Sequence, residues 1–517
     1  MLFQQQMYSE CCGSTSFYVH EKLPHAASKI SFTSEDLKSA DAIAKALSRL
    51  AGFYFGVVES LTEIAIFVDQ IRSCPVFYSF FSGEVVISDS YDALSRLLPN
   101  QRASQSSVRS FLNSGFVIGR ETLHPEIFQV EAGSIIFIRK SDGDISTGSS
   151  IFSKPMHTAR GHDPVFSELD SVVSHCFEDL ATRANGRQIV IPLSGGFDSR
   201  LVAVKLKEVG YDNIIAFSYG HPENPESKSS RQVAADLGIN WKFVHYEDAL
   251  VRDLWRSDER RAYRDFASNG VSLPHYQDFF ALHQLKSLHI INEDAIIVPG
   301  HTGDFISGDH LPPFAFSEKP ISSDELIDFV LRTHCDLWRL ADASADAVRA
   351  SLDAFSINDC VRSEIAANIV DSFNWKERQA KFIVNSCRVY EFFGYDWWLP
   401  LWDRKFLDYW TEVPLRFKKN RWWYIKFVEA KCAQLNLRTT GNAGTSLGRR
   451  IAKHVFSTLG IEDLLRRSST RTSWKVHPLN PYAILDDSFV EVCAERGSRL
   501  NGCYTADYLN EKGLIKF

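Results

Sequence analysis

The hexapeptide Ser194-Gly195-Gly196-Phe197-Asp198-Ser199 constrains this chain most, because of what stands on either side of it. Before it runs Gln188-Ile189-Val190-Ile191-Pro192-Leu193, apolar and β-branched, which reads as a buried strand. After it, Arg200 to Lys207 is apolar-periodic and reads as a helix. A strand that ends in small residues and enters a helix directly gathers free N–H groups and the positive end of a helix dipole around one point. An anionic phosphate needs that geometry. Two glycines permit close backbone approach, Ser194 and Ser199 add hydroxyl donors, and Asp198 can hold a divalent cation against the phosphates. Leu193, Ser194, Gly195, Gly196, Asp198 and Ser199 are therefore the candidate residues for a nucleoside triphosphate. The plain alternative is a glycine-rich turn without a ligand.

Around this unit, helices and strands alternate. A helix at Phe166 to Ala184 precedes it, and the strand Ile214 to Ser218, a helix from Ser227 to Leu237 and the strand Lys242 to Val244 follow. Ala295-Ile296-Ile297-Val298-Pro299 is a further strand, ending in Gly300. The alternation predicts an α/β fold with a parallel, doubly wound sheet. Phe217 and Ser218, at the end of the second strand, are placed to line an adenine or ribose in the crevice where such sheets bind ligands. Beyond about residue 320 the pattern turns helical and rich in Trp. Residues from about 50 to 140 read instead as short strands separated by turns, an antiparallel β-rich part. The Gly-, Ser- and Asp-rich stretch Asp142 to His162 is the expected linker, which sets two domains at 1–155 and 160–517.

A chain of 517 residues exceeds one core, in agreement with that division. No window approaches the ~18 apolar residues of a membrane span, and the start lacks a secretory pattern, so the cytoplasm is the default location. Ten cysteines without metal-ligand spacing argue against zinc, and a net charge of −7 gives no reason to expect nucleic acid. Locally, Arg449 to Lys475 is basic, either a solvated face or an anion patch. Arg416-Phe417-Lys418-Lys419 and Lys426 are read the same way. Trp397-Trp398, Trp402, Trp410 and Trp422-Trp423-Tyr424 suit a helical core, and equally the faces of sugars.

Ser194 to Ser199 resembles the pyrophosphate-binding loop of the ATP pyrophosphatases, which cleave ATP between its α and β phosphates; it lacks the Lys of a Walker loop. Further motifs in order make the chain similar to the asparagine synthetase family. Gly52-Phe53-Tyr54-Phe55, Val68-Asp69-Gln70, Cys74 to Tyr78 and Val86-Ile87-Ser88 are similar to that family's N-terminal run. Phe217-Ser218-Tyr219-Gly220 echoes its "F-S-x-G", and Gly300-His301-Thr302-Gly303-Asp304-Phe305 stands where it has "G-E-G-A-D-E". Glu391 with Pro400-Leu401-Trp402-Asp403 stands near its "E-x-R-x-P-F-L-D".

The resemblance implies an N-terminal Ntn-hydrolase-like, glutaminase-type domain. It also implies an adenine nucleotide α-hydrolase-like domain with a helical C-terminal part. ATP and Mg²⁺ are the implied cofactors, with Asp198 and Asp304 on the metal, Gly300 beside the nucleotide, and His301, Asp304 and Glu391 as catalytic candidates. His301 replaces the family's Glu and would act as a base, its cation favoured near phosphates, or else be a core histidine. Leu2 replaces the family's nucleophilic Cys, and Cys11-Cys12 would serve only after cleavage, so the N-terminal part is expected to be a glutaminase in fold only. The implied activity is adenylation of a carboxylate, aspartate or a uronic acid, followed by attack of ammonia or an amine. The tryptophan tract resembles that of relatives from surface polysaccharide clusters. An intramolecular amide-forming cyclase and a non-catalytic scaffold are the alternatives. A separate glutaminase and a homodimer are compatible partners.

Overall fold

The computed structural model describes residues 1–12, 15–24, 32–33, 35, 40–47, 50, 52–98, 102–147, 156–157, 163–222, 224–338, 342–353, 360–435, 437, 485 and 487–516. The basic stretch 449–475 and most of the expected linker lie outside the described residues.

The N-terminal part holds two antiparallel sheets. β1 (Tyr8–Cys12), β2 (Thr15–Glu21), β3 (Tyr54–Glu59), β4 (Glu63–Val68), β8 (Ile135–Arg139) and β9 (Ile145–Thr147) follow in that order across the larger sheet. The smaller is ordered β6 (Glu84–Ser88), β5 (Phe77–Phe81), β7 (Phe128–Gln129). Alternation along β3 decides what each face meets. Phe55 and Val57 point into a core shared with Val76, Tyr78 and Ile87 of the smaller sheet. Tyr54 and Val58 point the other way, under the helix Ala40–Leu47. β9 falls inside the expected linker and extends the sheet instead. Met156 and His157, further along it, are buried.

The second part is built on a five-stranded sheet in the order β12 (Asn240–His245), β11 (Ile214–Gly220), β10 (Ile189–Pro192), β13 (Ile296–Ile297) and β16 (Asp396–Trp397). Every neighbouring pair is parallel. Its inner strands are almost wholly apolar and buried on both faces, as parallel sheets require. The order reverses beside β10, whose neighbours are β11 on one side and β13 on the other. This leaves a crevice beyond the C-terminal ends of β10 and β13. Ser194–Ser199 and Gly300 both lie there. β14 (Ile321–Ser322) and β15 (Cys360–Val361) form a small separate antiparallel pair in the otherwise helical remainder.

Three helices carry the crevice wall. Phe197–Glu208 packs against both Phe166–Ala184 and Trp422–Gln434. An ion cluster joins them at one end: Lys205 Nζ reaches Asp170 at 2.9 Å and Glu208 at 2.6 Å, and Lys431 Nζ reaches the same acids at 3.1 and 2.8 Å. With Glu208 and Lys431 paired at their ends, the helices Phe197–Glu208 and Trp422–Gln434 bring their starts together at the phosphate loop.

The tryptophan tract is core except at Trp422, which is exposed. Trp397, Trp398, Trp402 and Trp410 are at most 1% exposed, so none offers a face to a sugar. Several serve the junction between the two parts. Trp398 packs on Phe53 with ring centroids 4.5 Å apart, Trp375 Nε1 donates to the Gln70 carbonyl at 2.6 Å, and Gln70 Nε2 donates to the Trp402 carbonyl at 3.1 Å.

Candidate active site

The loop after β10 is held open by its own hydroxyls. Ser194 N and Ser194 Oγ both meet Ser199 Oγ, at 3.1 and 3.0 Å, and Gly196 N donates to Ser194 Oγ at 3.2 Å. Gly196 caps the helix Phe197–Glu208 without a side-chain acceptor, which leaves first-turn N–H groups for an anion. Arg200 supports the loop from beneath, donating to the Gly195 carbonyl at 3.2 Å, while its Nε and Nη1 have no partner.

The close backbone approach expected of Gly195 and Gly196 is made most tightly by Gly300. A Cβ on Gly300 would stand 2.4 Å from Ser199 N, so the strand-end at 300 is packed onto the phosphate loop as only glycine permits. Gly303 repeats this: its Cβ would lie 2.6 Å from Tyr424 Oη and 2.8 Å from Asp198 Oδ1. The short helix Gly303–Ile306 thereby carries Asp304 to Asp198.

Asp198 accepts from Arg421 Nη2 at 2.6 Å. Burial raises the Asp198 carboxyl; Arg421 opposes this, Asp304 adds to it, and the result is about 6. The Tyr424 hydroxyl is buried alongside, and burial together with the neighbouring Asp198 carboxylate pushes its pKa well up. Two neighbouring carboxylates, with oxygen-only donors, fit a hard divalent cation such as Mg²⁺. Asp304 belongs also to a second grouping, in which its ligand atom and those of Asp309 and His310 all lie within 4.8 Å of one another.

Other expected site residues sit differently. His301 is held by Ser386 Oγ at 3.1 Å from its Nε2, and burial lowers its pKa to about 4. Burial thus favours the neutral form, as the core-histidine alternative expects. Glu391 has Lys22 Nζ at 2.9 Å, Arg388 Nη1 at 2.5 Å and Trp397 Nε1 at 2.8 Å. Burial opposes its charge, but Lys22 and Arg388 outweigh burial and hold it at about 2. So low a pKa makes it a poor proton acceptor. Phe217 is 1% exposed and belongs to the core beneath the sheet, which leaves only its main chain for a nucleotide. Ser218 accepts from Ser230 Oγ at 3.1 Å. The basic tract disperses: Lys418 is buried, donating to the Met156 carbonyl at 2.8 Å, Arg416 pairs with Asp163, and Lys426 pairs with Glu429.

Residues 182–259, which include the phosphate loop, match the family model described as asparagine synthase. This stretch of the chain is asparagine-synthetase-like. A probable glutamine-hydrolyzing asparagine synthetase of Acanthamoeba polyphaga mimivirus is 35% identical over 81 residues, covering 15% of this chain and 15% of that protein. Among solved structures, an NH3-dependent NAD synthetase from Campylobacter jejuni shares 15% identity over 28% of this chain and 61% of its own, with a TM-score of 0.21. A glutamine phosphoribosylpyrophosphate amidotransferase from B. subtilis shares 12% identity over 57% of this chain and 64% of its own, with a TM-score of 0.19. Each match therefore spans less than two thirds of the protein it was found in. The asparagine-synthase segment holds Ser194 to Ser199, Phe217 and Ser218; Gly300, His301, Asp304, Glu391 and Arg421 lie beyond it.

Arg421 and Tyr424 escaped sequence reasoning. The one available signal was the basic and aromatic tract around them; nothing local says that Arg421, with a left-handed φ of 58°, turns back to the phosphate loop.

Proposed function

We propose that this chain is an ATP-dependent amide-forming ligase that adenylates a small carboxylic acid, releasing pyrophosphate, and passes the acyl group to ammonia or an amine. The observation that carries this reading is the meeting of two loops at the sheet's reversal point. Gly300 is packed onto the Ser194–Ser199 loop, and Gly303 approaches Asp198, which brings Asp304 within electrostatic reach of it.

A carboxylate is a poor acyl donor because its leaving group would be oxide; attachment of AMP replaces that with a good one. In this reading the loop N–H groups and the hydroxyls of Ser194 and Ser199 take the charge that develops on the departing pyrophosphate. Mg²⁺ between Asp198 and Asp304 would supply charge neutralisation there. With Asp198 on the metal, Arg421 would be freed from this pair to meet phosphate charge. Neutral His301, beside Ser386, is the group best suited to accept a proton from the attacking amine.

Ammonia rather than glutamine is the proposed nitrogen source. Cys11 and Cys12 lie within β1, paired across to Ser16 and Thr15, as members of a sheet strand. Exchange of labelled pyrophosphate into ATP, measured over a panel of carboxylic acids, tests the reading. Acid-dependent exchange is expected, and its absence with every acid would leave a scaffold as the better description.

A further inference from the structure

Burial of an arginine normally obliges a partner, and this chain shows the rule. Arg183 is paired with Glu21 and Asp179, Arg260 with Glu511, Arg388 with Glu391 and Arg421 with Asp198. Arg72, which lies over the Phe77 ring, and Arg200, which uses one donor on the Gly195 carbonyl, fall short of it within the core. Arg378 departs from it beside the candidate site: the side chain is half-buried, and among the described residues it makes no hydrogen bond and no ion pair.

Its place in the fold is defined by the packing around it. Arg378 lies in the π-helical stretch Trp375–Ile383. Trp375 stacks near Trp402 with centroids 5.9 Å apart, and Trp402 in turn packs on Phe305 at 6.0 Å and donates to Thr302 Oγ1 at 2.7 Å. Phe305 also touches His310 at 6.0 Å, and the His334 ring packs on Phe373, one turn before Arg378, at 5.8 Å. The π-helical stretch therefore runs beside the 302–310 loop that carries Asp304. Asp304, His310 and His334 are the titratable groups within electrostatic reach of the guanidinium. π-Helical turns recur at functional sites because they re-aim side chains.

A partly desolvated guanidinium with all five donors free is costly unless a ligand completes it. Its planar fork matches a carboxylate bidentately. The phosphate loop already has a cation of its own in Arg421. A second cation across Asp304 meets the other need of the chemistry, bringing an anionic acid up to a nucleotide against electrostatic repulsion.

We propose that Arg378 receives the carboxylate of the acyl substrate and sets its position against the nucleotide. This rests on the ligase reading above. The role is one of positioning and selection: acids with an accessible carboxylate bind through the fork, and uncharged amides or esters of them do not.

The test is calorimetric titration of L-aspartate, D-glucuronate and D-galacturonate onto the full chain loaded with Mg²⁺ and α,β-methylene-ATP. Wild type, Arg378→Lys and Arg378→Ala are compared. Loss of one charge-assisted bidentate contact should weaken binding of the preferred acid about tenfold or more in Arg378→Ala and less in Arg378→Lys. Affinity for the nucleotide analogue and the melting temperature should stay unchanged in both. Equal binding of the acid by wild type and Arg378→Ala overturns the assignment. So does loss of nucleotide rather than acid affinity, or failure of all three acids to bind wild type. Acid binding that depends on Arg378, together with no pyrophosphate exchange by wild type, upholds the assignment and sinks the ligase reading instead.

Discussion

Arg421 and Asp198, 223 positions apart in sequence, form an ion pair of 2.6 Å at the mouth of the phosphate loop. The guanidinium stands on the carboxylate oxygen that a metal-bound nucleotide would claim. In the proposed ligase, binding would exchange one positive partner for another, and the residues around the pair say how that exchange should respond to change.

Asp198→Asn keeps an oxygen acceptor for Arg421 and removes the charge. Carboxylate-dependent pyrophosphate exchange should fall at least about a hundredfold, the order seen when one pre-placed charged or donor group is lost from a site. Far-UV circular dichroism and cooperative melting should be retained. An exchange rate like wild type's would remove Asp198 from the chemistry.

The raised pKa of Asp198 has opposite effects on fold and on binding. Its folded value, about 6, lies above the ordinary carboxyl value of 3.8, so charging it costs stability. The contribution of this group should therefore improve as pH falls from about 6 toward 4, while Mg²⁺-dependent nucleotide affinity declines over the same window. Arg421→Ala removes the charge that lowers this pKa, and the midpoint for nucleotide binding should move to higher pH. Titrating nucleotide at several pH values checks this, and a midpoint that stays put in the variant would contradict the coupling.

Gly300→Ala places a methyl 2.4 Å from Ser199 N, a contact relieved only by moving the phosphate loop. A destabilisation of about 1–3 kcal/mol is expected for such overpacking, together with loss of nucleotide affinity. Gly195→Ala meets its nearest atom only at 3.3 Å, Cβ of Ser229, and should be milder in melting temperature.

Glu391→Gln tests stability rather than chemistry. It leaves the buried Lys22 and Arg388 without a countercharge, a loss of about 3–5 kcal/mol for broken buried pairs. Melting temperature should drop well before the per-molecule exchange rate does. The converse, a stable protein with no exchange, would restore Glu391 as a proton acceptor. Glu391 is held at about 2 against an ordinary value of 4.5, so its contribution is present above about 4.5 and is lost as pH falls toward 2.

Much of the sheet could be read from local pattern. The helix at Phe166–Ala184 has the bounds its periodicity predicts, and β10, β11 and β12 fall within two or three residues of their apolar runs. β16, two residues long, closes the parallel sheet and was not foreseen, because two residues carry no periodicity. β1 and β2 were missed as well; their mixed polar sequence becomes strand through pairing with β3.

Sequence by itself determined the strand, the glycine-bearing turn and the helix that follows it, since each depends on neighbours within a few residues and on the spacing of apolar side chains. Which charge stands against Asp198, whether Glu391 is free or locked, and which glycine makes the closest approach were decided by tertiary structure alone. Those outcomes depend on electrostatics and contact between segments hundreds of residues apart, and desolvation, which set the pKa of His301 near 4 and that of Asp198 near 6, exists only once the chain has closed around them.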